Sequence, residues 1–141
     1  MTEESINVAR ENIEAFNAGD WNRAKSTLAP DAIYDEVATQ RRIQGADQIV
    51  EAFKGWKQAM PDAKGTVTKA LASGNTATLQ ITWEGTQTGP LAGPGGTLPP
   101  SGKRQKTRAA FIATVEQGRI KESYQYFDMM SLLQQLGASP Q

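Results

Sequence analysis

The sequence predicts an α+β fold, with helices on one side of a curved, mostly antiparallel sheet. Three observations predict it. Apolar residues in the first half recur at helical spacing, residues 76–88 alternate with period two, and residues 118–137 read as a strand that turns at once into a short helix. At 141 residues the chain is long enough for one domain, 1–141, around one sizeable core.

Ile6, Ala9, Ile13 and Phe16 form the inner stripe of a first helix, and Glu3 and Glu4 sit in its first turn, where the helix dipole favours acids. Gly19 stops that helix. Asp20 caps a short second one with Trp21, Ala24 and Leu28 facing inwards, and Pro30 follows. Ala32 to Val37 reads as a first strand, and residues 38–44 as a polar surface loop. Gly45 opens a third helix with the stripe Ile49, Phe53, Trp56 and Met60, and Pro61 closes it.

The second half is strand-rich. Thr66 to Ala72 is a strand, and Ser73-Gly74-Asn75 a tight turn. From Thr76 to Thr88 the odd positions Ala77, Leu79, Ile81, Trp83, Gly85 and Gln87 face the core, while the even ones are polar. Gly85 to Lys103 holds six Gly and four Pro in 19 residues, so it reads as a long hairpin connection or a lid over a pocket mouth. Residues 104–116 and 119–127 are the last strands, joined by a turn at Gln117-Gly118, and 129–136 the terminal helix.

Composition removes whole classes of chemistry. Lys+Arg and Asp+Glu are both 15, leaving no net charge and no basic stripe for nucleic acid. No apolar run is long enough to span a bilayer. The acidic N-terminus lacks an apolar signal core, so a cytoplasmic protein is the default expectation. With no His and no Cys, neither a Ser-His-Asp triad nor a Cys nucleophile can be built, and zinc, copper and haem sites are not expected. Gly102-Lys103 is no P-loop, because Thr97 stands where the first Gly is needed. Asp, Glu, Lys and Tyr remain for proton transfer.

Alternation puts Ile120, Tyr124, Tyr126 and Asp128 on one face of the last strand, an aromatic face with an acid at its rim. Two roles are open to Asp128. It can cap the last helix, stapled by Phe127 and Leu132. Alternatively it faces an apolar cavity as acid or base. Glu36 shares parity with Tyr34 and is a second candidate inward acid; Glu122 has the parity of Asp128, so either the strand bulges there or this acid is also near the pocket. Trp83, Tyr124, Tyr126, Phe16 and Phe53 are candidate pocket walls, and Gln87, the last inward residue before the Gly/Pro stretch, a candidate orienting group.

The runs Trp83-Glu-Gly-Thr-Gln-Thr-Gly-Pro-Leu91, Pro99-Pro-Ser-Gly-Lys103 and Gly118 to Gly137 resemble the SnoaL-like polyketide cyclases, also called ester cyclases, of the NTF2-like superfamily. Phe16-Asn-Ala-Gly-Asp-Trp21, Leu28-Ala-Pro-Asp31 and Gly45 fit the same pattern. The resemblance implies a cone-shaped bent mixed sheet over N-terminal helices, one deep apolar pocket and a homodimer. It also implies that Asp128 is the acid/base of a cofactor-free intramolecular aldol closure on a small apolar carbonyl or polyketide-like compound. Gln87 stands where that family commonly has His, and Glu122, Ser123 and Tyr124 replace the histidines before the aspartate. Glu36 falls near the base of the ketosteroid isomerases, but Asn12 and Phe111 replace their tyrosine and second acid. Ala110, two residues past Arg108, breaks the Asp-Arg-Asp relay of limonene-type epoxide hydrolases. The expectation is therefore a cofactor-free cyclase, isomerase or lyase. The alternative is a non-catalytic module that binds a small apolar ligand or a protein partner. A homodimer through the outer sheet face is expected in both.

Overall fold

The computed structural model describes residues 2–93 and 95–138. Helices α1 (Thr2–Ala18) and α2 (Trp21–Ser26) come first, then β1 (Leu28–Glu36), a single 3-10 turn (Val37–Thr39), β2 (Arg41–Gln44) and α3 (Ala46–Ala59). The rest is β3 (Lys64–Ser73), β4 (Thr76–Thr86), β5 (Leu91–Gly93), β6 (Gly96–Leu98), β7 (Arg104–Glu116), β8 (Arg119–Phe127) and α4 (Met129–Gln135).

Six strands form one mixed sheet in the order β2-β1-β8-β7-β4-β3. Only β1 and β8 run parallel; every other pairing in it is antiparallel. The inner face packs on α1 and α3, so the architecture is the expected α+β arrangement. Ile13 and Phe16 of α1 and Ile49 and Phe53 of α3 meet Leu79, Ile81 and Phe111 of the sheet in one buried cluster. The alternation expected for β4 holds, with Ala77, Leu79 and Ile81 buried inside.

Two segments differ from the sequence expectation. Residues 41–44 are an edge strand, not a loop, pairing with β1 from Ile33↔Gln44 to Glu36↔Arg41. Its residues are mostly polar because one edge and one face meet solvent. β1 also starts earlier, at Leu28, although Pro30 cannot donate to a ladder; the pairing with β8 skips from Leu28 to Ile33.

The Gly/Pro-rich stretch is a fixed arm. Its tip is the small hairpin β5/β6 and its root is closed by hydrogen bonds between Gln87 and Lys103 and between Gly102 and Gln87. The amides of Thr88 and Gly89 bond Ala59 O at the end of α3, at 3.1 and 3.0 Å. Position 89 approaches α3 so closely that a Cβ there would collide with the Gln58 carbonyl oxygen.

The register of β8 carries the largest consequence. Val115 pairs with Ile120, but Thr114 pairs with Glu122, so Lys121 is an extra residue, a β-bulge. A one-residue slip exchanges the faces of everything beyond it. Ser123 and Gln125 are therefore buried inside, and Tyr126 is 45% exposed outside.

Candidate functional site

Between α1, α3 and the inner sheet face lies a cavity of about 80 Å³, whose lining includes Phe127 and, from α4, Leu132. Its walls are mainly aromatic. Phe16 stands edge-on to Phe53 at 6.0 Å and to Trp83 at 5.1 Å, and Tyr34 edge-on to Phe53 at 5.6 Å. Trp56 and Phe127 meet at 5.9 Å in the same geometry. Such contacts hold rings in one orientation and so fix the cavity's shape.

Glu36 is the acid in this wall. It is 1% exposed. β1 delivers it inwards on the same face as Tyr34, and β1 itself, the turn and strand that follow and α3 supply its partners. Tyr34 Oη donates to Glu36 Oε2 at 3.0 Å and Trp56 Nε1 to the same oxygen at 2.9 Å. Arg41 Nη2 donates to Oε1 at 2.8 Å, and the Thr39 hydroxyl to Oε1 as well. This is the donor set an acceptor-only carboxylate requires when buried. The line continues: Gln125 Nε2 donates to Tyr34 Oη at 3.2 Å, and Trp83 Nε1 to Gln125 Oε1 at 2.8 Å. Burial, and secondarily the Glu36 charge, push the Tyr34 hydroxyl well above the usual tyrosine range. Tyr34 is thus a neutral phenol, and a donor, at any ordinary pH.

A second polar group faces the cavity from β7. Gln105 and Thr107 are both buried and line it. The Thr107 hydroxyl donates to Gln105 Oε1 at 2.6 Å and accepts from Gln135 Nε2 at 3.3 Å.

The expected site residues separate accordingly. Glu36, Trp83, Phe16 and Phe53 line the cavity. Asp128 does not. Its side chain is exposed and caps α4, accepting from Ser131 N at 3.1 Å. The expected inward face of Tyr124, Tyr126 and Asp128 is corrected by the Lys121 bulge. The two tyrosines stack on each other on the outer face at 6.4 Å, and Tyr124 Oη donates to Glu122 Oε1 at 2.8 Å. Gln87 is buried but lies outside the cavity wall. Its Nε2 faces the carbonyl oxygens of Gly89, Leu98 and Pro99 at 3.1 to 3.4 Å, so it braces the arm. Among the described residues none from 85 to 103 lines the cavity, so of the two readings of that stretch the hairpin connection fits and the lid does not.

Sequence reasoning missed Tyr34's hydrogen-bonding role, Trp56, Gln105, Thr107 and Gln125. Parity alone could have found Gln105 and Thr107, which alternate in step with the core residues Phe111 and Ala113. Gln125 was hidden by the bulge.

Among the described residues no group of three or more His, Cys, Asp or Glu side chains could hold a metal ion, and no helix is long and apolar enough to cross a membrane.

Comparison with known proteins adds the following. The profile of the SnoaL-like polyketide cyclase family matches residues 6–136. No curated protein matches in sequence. Among solved structures, a candidate SnoaL-like polyketide cyclase from Jannaschia sp. CCS1 superposes with a TM-score of 0.86 at 18% identity, covering 99% of this chain and 95% of that one. AclR, a candidate hydroxylase from Streptomyces galilaeus, gives 0.83 at 23% identity, covering 100% and 85%. An LEH-like epoxide hydrolase from M. tuberculosis gives 0.74 at 18% identity, covering 96% and 90%. At these identities the superpositions show a shared fold, and their names span three chemistries.

Proposed function

Because the chain belongs to the SnoaL-like polyketide cyclase family, we propose that its cavity takes a small, mainly apolar carbonyl compound and activates it by cofactor-free acid/base chemistry of the cyclase or isomerase kind. Glu36 is the carboxylate. The observation that carries this reading is a buried carboxylate in the wall of an aromatic cavity, with a neutral phenol bonded to the same oxygen. In the reaction the C–H bond next to the substrate carbonyl breaks and its proton passes to Glu36 Oε2. The electron pair enters the enolate, and Tyr34 turns its O–H from Glu36 to the enolate oxygen. Return of the proton, or attack of the enolate on a second carbonyl of the same molecule, completes isomerisation or ring closure. The cavity of about 80 Å³ favours a compact substrate, such as a single ring, over a multi-ring skeleton.

The test is hydrogen–deuterium exchange next to the carbonyl of small cyclic ketones and β-keto esters, followed by NMR in deuterium oxide. The wild type should accelerate exchange, and Glu36→Gln should lose roughly 10²-fold or more of that acceleration. A Glu36→Gln protein that melts like the wild type and exchanges at the wild-type rate would sink the assignment.

One observation favours a second reading, binding without turnover. All four acceptor positions of Glu36 already face protein donors, and Asp128 is in solvent. Saturable ketone binding with no exchange above background would select it.

A further inference from the structure

Gln105 is an unusual buried amide. It is 5% exposed and lines the cavity, yet among the described residues the sole partner of its Nε2 is the thioether sulfur of Met60, at 3.5 Å. A thioether is a weak acceptor, and a primary amide nitrogen carries two hydrogens. Buried polar groups are ordinarily satisfied, and leaving a donor unmet is costly.

A flipped amide does not remove the anomaly, because a directional chain fixes the orientation. The backbone N–H of Lys106 donates to Gln135 Oε1 at 2.7 Å, which makes the other Gln135 atom the nitrogen. That nitrogen also faces the Ser131 carbonyl oxygen at 3.3 Å, an acceptor only, so the assignment is doubly determined. Gln135 Nε2 donates to Thr107 Oγ1, so the Thr107 proton is free to point onward, and it goes to Gln105 Oε1. Were Gln105 flipped, Thr107 Oγ1 would accept from both amides and its own proton would have no acceptor among the described residues; the 2.6 Å separation is also that of an O–H···O bond. The chain ends at Gln105 Nε2, which stands against the sulfur of Met60, and both residues line the cavity.

We infer that Gln105 is a ligand-binding residue. Its amide hydrogens receive the carbonyl oxygen of the cavity's ligand, and Thr107 and Gln135 are positioning residues that hold the amide in that polarity. The ligand class is a small apolar molecule with one strong acceptor, a ketone, ester or amide oxygen. Hydrocarbons of the same shape fit the aromatic walls but leave the amide unmet. Positively charged and donor-only groups are disfavoured at this end, because they meet the hydrogens of Gln105. The inference rests on the reading that the cavity takes a carbonyl compound, and it does not require turnover.

The experiment uses the full chain and two isosteric probes, cyclohexanone and methylenecyclohexane, which differ in C=O against C=CH₂. Binding is followed by amide-resolved NMR, in which the Gln105 side-chain signals are identified by their loss in Gln105→Met. The wild type should bind the ketone about five- to tenfold more tightly than the hydrocarbon, the scale of one net hydrogen bond. The Gln105 side-chain NH₂ signals should move with the ketone only. Gln105→Met should bind both probes alike, with hydrocarbon affinity kept within about twofold. Gln135→Met, which leaves Gln105 in place but removes the donor that orients Thr107, should lose part of the ketone preference. Equal affinity of the wild type for both probes, or a ketone preference that survives in Gln105→Met, overturns the inference while leaving the Glu36 reading standing. Failure of both probes to perturb any cavity resonance at millimolar concentration overturns both.

Discussion

Gly65→Ala tests how the cavity wall is held. Gly65 lies on β3 opposite Trp83 of β4, and its backbone is clamped by Asn17, which accepts from Gly65 N and donates to Gly65 O, each at 2.8 Å. Its φ lies outside the left-handed region, so alanine meets no backbone strain. The difficulty is the indole. A Cβ at position 65 would sit 2.7 to 2.9 Å from three ring carbons of Trp83. Ordinary carbon contacts lie near ~3.5–4.0 Å, so the ring must withdraw by about 1 Å. Phe16 blocks that movement edge-on at 5.1 Å, and the bond from Trp83 Nε1 to Gln125 Oε1, now 2.8 Å, would stretch beyond hydrogen-bond range. Overpacking of this kind costs about 1–3 kcal/mol, and the lost bond adds about 1 kcal/mol. Removing a glycine from the unfolded chain returns about 0.4–1 kcal/mol. The expected net loss is about 1–4 kcal/mol, measured as a lower urea midpoint at constant slope, with altered tryptophan emission. A variant with the wild-type midpoint and emission would refute the argument that position 65 is kept bare by the indole.

Three further outcomes are expected. Because the Tyr34 hydroxyl is held above its ordinary value, the native state favours the neutral phenol, while the unfolded chain ionises near pH ~10. Stability from this group is therefore complete below about pH 10 and declines as pH rises beyond it. Tyr34→Phe should be less stable at neutral pH by about 1 kcal/mol and show a flatter alkaline decline in thermal melts. Asp128→Asn should keep both stability and ketone exchange, since Asn caps as well as Asp, whereas Asp128→Ala should lose about 1 kcal/mol in urea titration. Wild-type exchange lost in Asp128→Asn would restore that residue to the chemistry. Finally, we propose a homodimer through the outer sheet face, where Tyr124 and Tyr126 stack and Tyr126 is exposed. Light scattering at micromolar concentration should give twice the chain mass, and Tyr126→Glu should give a monomer.

Most of the fold was legible because its signals are local. The stripes of α1 and α3 and the alternation of β4 follow from a fixed repeat meeting one buried face. β2 was illegible because its residues Arg41, Arg42, Ile43 and Gln44 form an edge strand, where packing imposes little pattern. The β8 faces were misread because a bulge shifts parity without leaving a residue-type signature: Lys121 is as ordinary as any exposed strand lysine. The site was legible only where it depended on one strand. The shared parity of Tyr34 and Glu36 could be read directly. The donors from Thr39, Arg41 and Trp56 come from three different elements, and no periodicity could announce that they converge.

The parallel pairing of β1 with β8 converts the bulge into chemistry. It sets Glu36 against Gln125 and Tyr34 against Ser123. Without the bulge, with Lys121 in regular alternation, the inward residues beside Tyr34 and Glu36 would be Tyr124 and Tyr126, and the line from Arg41 through Glu36 and Tyr34 would end at the phenol. With it, the amide of Gln125 reaches both Tyr34 and Trp83, and Asp128 is turned into solvent. Asp128 still bears on the site through the helix it caps. α4 presents Leu132 to the cavity and Gln135 to Thr107, so the start of that helix sets where the Gln105 amide points. A carboxylate outside the cavity and one inside it thus act at different levels: the first fixes the helix that orders the polar chain, and the second stands where a proton can be exchanged.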